Sequence, residues 1–116
     1  HFVDIMATMV DLTAYSYPTH WRGEPLWPLA GVSLMPLVEN PSLRPERVLY
    51  WEWASGWAVR DGKWKLVSKD GFPTLHDMER DPFETQDLRT DHPQRELSLT
   101  ELFTAWQSLV AKGYPE

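Results

Sequence analysis

Residues 57–67 read WAVRDGKWKLV, two short arms on either side of Asp61-Gly62. An Asp-Gly pair most favours a two-residue type I′ turn, because Gly adopts positive φ at no steric cost. On the second arm Trp64 and Leu66 alternate with Lys63, Lys65 and Val67, so one side is apolar and the other largely basic. This pattern commits the chain to an antiparallel hairpin with one covered face. Residues 47–53 (RVLYWEW) read as a neighbouring strand, with Val48, Tyr50 and Glu52 alternating with Leu49, Trp51 and Trp53. The second set is wholly apolar, which predicts that Trp51 and Trp53 pack into the core. Residues 74–78 supply a further strand, making about four in meander order, enough for a stable sheet once its apolar face is covered.

The natural cover is a helix over residues 95–112, where Leu99, Leu102, Phe103, Trp106, Leu109 and Val110 make a broad apolar stripe. Gly113 is placed to end it in the left-handed conformation, with Pro115 beyond. At the other end of the chain Phe2, Ile5, Met6, Met9, Val10 and Leu12 recur at helical spacing and predict one buried face. Asp4 fits the first turn of that helix, reaching back toward a capping residue. From 16 to 45 lie Pro18, Pro25, Pro28, Pro36, Pro41 and Pro45, which break helix and ladder alike and predict an irregular connection. One helical turn fits within it, capped by Ser33 with Leu34, Leu37 and Val38 facing inward. Asp81, Pro82 and Glu84 match N-cap, N1 and N3 of a helix start. The fold class is therefore α+β: an N-terminal helix, a Pro-rich irregular segment, and an antiparallel sheet covered by a C-terminal helix.

Composition narrows the function classes. The chain is 42% hydrophobic and 24% charged, as folded domains are, and its 116 residues and seven Trp suffice for one core. With 11 Lys and Arg against 17 Asp and Glu, the net charge of −6 provides no basic field for nucleic acid. No apolar run approaches the roughly 20 residues of a membrane span. Zero cysteines exclude disulfides, thiolate ligands and thiol nucleophiles.

No nucleophile elbow, P-loop or dinucleotide-binding glycine pattern occurs. His1, His20, His76 and His92 show no metal-ligand spacing, and the acidic run Asp77, Glu79, Asp81, Glu84 and Asp87 lacks the spacing of a calcium loop. It reads instead as capping groups and a solvated acidic turn. No catalytic or metal-ligating residue is assigned within this chain. Among the tryptophans, Trp57 stands beside a Gly at a strand entrance and is the candidate for an exposed contact.

Four strings in order carry a resemblance: HFVDIMATMVDL (1–12), VLYWEWASGWAVRDGKWKLV (48–67), LHDMERDPFETQDL (75–88), and the helix around Trp106. Together they resemble the C-terminal region of sulfatases. The resemblance implies that residues 1–45 are the last helix and connecting segment of an α/β catalytic domain, and that 46–116 form a smaller sheet-plus-helix subdomain. It implies a parent that hydrolyses sulfate esters of small molecules or glycans, using a formylglycine and a calcium ion held outside this sequence. That catalytic domain would be the chain's main partner, and the parent is expected to be periplasmic or secreted. The family's WEHEGNRAVR is WEWASGWAVR here, so the residues expected toward substrate are Trp53, Ser55, Trp57 and Arg60.

A different class competes with this reading: a free-standing module that binds glycan or protein through its tryptophans. Such a module predicts a self-sufficient polar surface. The sulfatase-tail reading predicts exposed apolar residues on the first helix and the Pro-rich segment.

Overall fold

The computed structural model describes residues 1–43 and 45–112. They form two compact units, His1–Pro45 and one that begins at Glu46.

The first unit contains helix α1 (Val3–Thr13), a small hairpin of β1 (His20–Trp21) and β2 (Glu24–Pro25), and the short helix α2 (Met35–Glu39). The predicted helix is present, but it is turned inside out relative to its pattern. Asp4 and Ala7 are its buried residues, while Phe2, Ile5, Met6, Met9 and Leu12 stand exposed. The cause is a polar stripe, Asp4, Thr8 and Asp11, at helical i, i+4, i+7 spacing. Asp4 Oδ1 accepts the Val32 N–H at 3.1 Å, Thr8 Oγ1 accepts the Leu34 N–H at 2.9 Å, and Ser33 Oγ donates to Asp11. Asp4 Oδ2 also accepts from the terminal ammonium of His1 at 2.9 Å. Gly31 lets the strand-like segment approach: a Cβ there would lie 2.0 Å from the Val3 carbonyl oxygen.

The Pro-rich segment is less irregular than its prolines suggest. Arg22 and Gly23, with φ of 53° and 89°, make the tight turn that joins β1 to β2. Ser33 Oγ accepts the Met35 N–H at 3.2 Å at the start of α2, with Leu34 and Leu37 half-buried. Val38 is exposed rather than inward-facing.

The second unit is a four-stranded antiparallel meander of β3 (Val48–Trp53), β4 (Gly56–Asp61), β5 (Trp64–Lys69) and β6 (Phe72–Asp77), with helix α3 (Pro93–Ala111) packed on one face. The β4–β5 turn is centred on Gly62-Lys63 rather than Asp61-Gly62, and Asp61 pairs with Trp64. Gly62 has φ 56° at the first central position, the pattern of a type II′ turn. The Asp-Gly type I′ pattern is realised one hairpin later, where Asp70 and Gly71 have φ of 52° and 83° and join β5 to β6.

Register decides the core. Tyr50, Val59, Leu66 and Leu75 align across the four strands on the helix side, with Val48 and Trp64 on one flank and Trp57 on the other. Leu99 and Phe103 of α3 complete this core, with Leu102 and Trp106 packed at its edge. Tyr50 stacks on Trp106 at 5.0 Å between ring centroids, and Trp57 stacks on Phe103 at 4.3 Å. The face prediction for β3 is thereby corrected: Val48 and Tyr50 lie under α3, and Trp51 and Trp53 face away from it. Leu109 and Val110 continue the stripe of α3 past the end of the sheet and are exposed. Gly113 and Pro115, the expected terminator of that helix, lie outside the described residues.

No helix begins at Asp81. Residues 78–92 form a turn-rich loop, and Asp81 instead holds it together by accepting Thr85 Oγ1 at 3.0 Å and the Gln86 N–H at 2.8 Å.

Candidate functional site

The four residues expected toward substrate do not come together. Trp57 belongs to the helix-side core, which corrects its assignment as an exposed contact. Trp53 and Arg60 share the opposite face but stand at opposite ends of it, seven positions apart across the β3–β4 hairpin. Arg60 is drawn to the β4–β5 turn, its Nε donating to the Gly62 carbonyl at 2.9 Å. Ser55 sits in the exposed β3–β4 turn, and its carbonyl accepts the Asp70 N–H at 3.0 Å, which ties that turn to the β5–β6 turn.

Those two linked turns frame the open corner of the sheet. Pairing aligns Trp53, Gly56, Lys69 and Phe72 across the four strands. The Trp53 indole occupies the space above Gly56, within 2.4 Å of where a Cβ would sit, so glycine is required at 56 for the ring to lie there. Trp53 remains 44% exposed and Phe72 78% exposed, with the exposed Lys69 between them. Behind this row lie Trp51, Val67 and Lys65; the Lys65 ammonium is 5.9 Å from the Trp51 ring and donates to Glu84. Lys69 and Phe72 escaped the sequence reading because their alignment with Trp53 depends on the Asp70-Gly71 turn. That dipeptide was the available signal.

The loop 78–92 shows what its acidic run is for. Asp77 Oδ2 accepts from Lys63 Nζ at 2.8 Å, and Oδ1 accepts the Glu79 N–H at 3.1 Å. Lys63 and the Glu79 and Arg80 amides hold the Asp77 carboxyl below the usual carboxylate range. The Gln86 amide does the same for Asp81. Asp87 Oδ1 accepts the Leu75 N–H at 3.0 Å, and the Arg89 guanidinium binds the carboxylate at 2.9 Å, lowering its pKa to about 2. Since the Leu88 N–H donates to the Leu75 carbonyl at 2.8 Å, Asp87 and Leu88 together satisfy the outer edge of β6 at that residue. The buried His76 is held by the Gln86 carbonyl and Thr74 Oγ1, both at 2.9 Å. A cleft of about 390 Å³ between Lys63, Trp64, Arg80, Asp81 and His92 lies beside these groups. Its central ion pair, Lys63 with Asp77, is already satisfied internally.

Among the described residues no three His, Cys, Asp or Glu side chains gather as ligands for a metal, and no helix is long and apolar enough to cross a membrane.

No family model matches the chain. Arylsulfatase K of Rattus norvegicus is 31% identical to it, over 97% of this chain and 25% of that protein. The chain thus spans about a quarter of the length of the curated relative it matches. A Bacteroides thetaiotaomicron 6S-sulf protein, from a locus for metabolism of multiple glycosaminoglycans, superposes with a TM-score of 0.67 at 20% identity, covering 90% of this chain and 24% of its own. A second structure, solved with its substrate D-glucosamine-2-N,6-O-disulfate, gives 0.62 at 19% identity over 97% of this chain and 24% of its own. The phosphonate monoester hydrolase of Agrobacterium radiobacter shares the same fold, at 0.55 and 21% identity over 94% of this chain and 24% of its own.

Proposed function

Because this chain carries the C-terminal region of the sulfatase fold, we propose that it serves as the supporting portion of a sulfuric ester hydrolase. Hydrolysis, the formylglycine nucleophile and the calcium ion belong, on this reading, to the part of the relatives' length that this chain does not span. The substrate is a sulfated small molecule or glycan. The corner formed by the β3–β4 turn, with Trp53 and Ser55, lies at the rim of its cleft.

The observation that carries the reading is the outward apolar face of α1. Phe2, Ile5, Met6, Met9 and Leu12 are exposed on one helix whose polar stripe is occupied by its own chain. A contiguous apolar surface of this kind is characteristic of an interface. The occupant proposed is the catalytic domain to which α1 contributes its last helix. The competing module, which would bind through its tryptophans, has Trp57, Trp64 and Trp106 engaged in its own core.

The test is sulfate release from 4-nitrophenyl sulfate by this chain and by the full-length polypeptide that contains it, matured with calcium. Activity confined to the full-length protein supports the proposal. Turnover by the chain alone contradicts it.

A further inference from the structure

The row Trp53, Gly56, Lys69 and Phe72 is more than an edge of the sheet. We propose that it is a binding shelf for an anionic oligosaccharide of two or more sugar units, distinct from the reacting ester and resting on the reading of the chain as part of a sulfatase. Three arguments support this occupant.

The first is size. The Trp53 indole lies over Gly56, which leaves two interstrand steps to the strand of Phe72, about 10 Å at roughly 4.8 Å per step, so the row is longer than one sugar ring and suits two or more units of one chain. The second is charge. The net charge is −6, yet the cations on this sheet face, Arg60, Lys65 and Lys69, all fall on one side. Lys65 is neutralised by Glu84 and Arg60 is bound to the Gly62 carbonyl, whereas Lys69 stands exposed between the two aromatics. A sulfate or carboxylate on the saccharide is the complement of that ammonium. The carboxylate nearest in sequence, Asp70, belongs to the turn beyond the row.

The third argument is pre-organisation. The Trp53 ring is backed by Gly56, and the two turns flanking the row are joined by the hydrogen bond from Asp70 to Ser55. A sugar that stacks on this ring therefore meets a surface whose ordering cost is already met by the fold. Aromatic rings offer the C–H face of a sugar an apolar contact, and the cation between them selects for anionic chains over neutral ones.

The experiment is an NMR titration of the chain with a heparin tetrasaccharide, its desulfated counterpart and inorganic sulfate, following the Trp53 indole N–H and the backbone of Lys69 and Phe72. The sulfated tetrasaccharide is expected to shift this row saturably, at least tenfold more tightly than the desulfated one, with sulfate alone giving no saturable change. Trp53→Ala is expected to weaken binding about tenfold, and Phe72→Ala and Lys69→Ala at least threefold. Phe72 is exposed enough that its truncation leaves the fold intact, so at least one variant reports on binding alone. Three outcomes would overturn the shelf: equal response to all three probes, binding unaffected by these variants, or an equal loss on Arg95→Ala, which marks non-specific attraction of a polyanion. Sulfate release from 4-nitrophenyl sulfate by the unsubstituted full-length protein tests the enzymatic reading by itself, so failure of that reading and failure of the shelf are read from different experiments.

Discussion

Asp4 shows how one residue reorients an element. Its carboxylate is fully buried and accepts from Val32 and from the His1 nitrogen, so the side of α1 that carries it must face the 31–35 segment. Replacing it with Ala removes a fully buried acceptor that holds the Val32 N–H and is expected to cost about 1–3 kcal/mol, read from urea unfolding. Gly31→Ala places a Cβ against the Val3 backbone and is expected to cost about 1–3 kcal/mol in the same measurement, since backbone rather than a flexible side chain must move. Asp87 provides a pH test. Its folded pKa of about 2 lies below the ordinary carboxylate value, held there by Arg89. The stability it contributes is complete above roughly pH 4 and is lost as pH falls through about 2. Asp87→Asn is therefore expected to flatten the dependence of the unfolding midpoint on pH between about 4 and 2. An unchanged slope would assign that dependence to other carboxylates.

At the scale of elements, the four-stranded meander and both long helices were legible because alternation and 3.6-residue periodicity survive in the sequence, whereas the β1–β2 hairpin among the prolines was not. Nor was the face of β3. Alternation favoured Leu49, Trp51 and Trp53 as the wholly apolar set over Val48, Tyr50 and Glu52, and that choice was the wrong face. What distinguishes them is long-range: Tyr50 finds Trp106 and Glu52 accepts from Gln107 at 3.0 Å, both on α3. The helix start expected at Asp81 failed for a local reason, since its carboxylate serves Thr85 and Gln86 and Glu84 takes a φ of 57° that helix does not allow. Of the four expected substrate residues, Trp53 and Ser55 lie at one corner, and their neighbours Lys69 and Phe72 depend on a strand register that short-range pattern does not reveal. The corrected faces have a direct consequence. Trp57→Ala is expected to destabilise the chain by about 2–3 kcal/mol through loss of its stack on Phe103, whereas Trp53→Ala changes stability by about 0.5 kcal/mol. Thermal unfolding of the two variants measures the contrast, and equal losses would contradict the assignment of faces.

At the scale of the whole molecule, the chain divides its surfaces between internal and external partners. The helix-side core of the sheet is complete within the second unit, closed by Leu99 and Phe103. The first unit instead spends its polar stripe on itself and presents its apolar stripe outward. That inversion was foreseen in part, since a sulfatase tail predicted exposed apolar residues on the first helix, while the periodicity alone predicted their burial. The structure bears out the exposure and contradicts the burial; the proposed catalytic-domain partner is what would cover the face. The most direct measurement is sulfate release by the full-length polypeptide carrying Ile5→Glu and Met9→Glu, alongside urea unfolding of this chain with the same two changes. The account predicts that activity falls at least tenfold while the chain's own stability shifts by about 0.5 kcal/mol or less. Full activity in the doubly charged protein would contradict it, because a charged helix face cannot remain docked against an apolar partner.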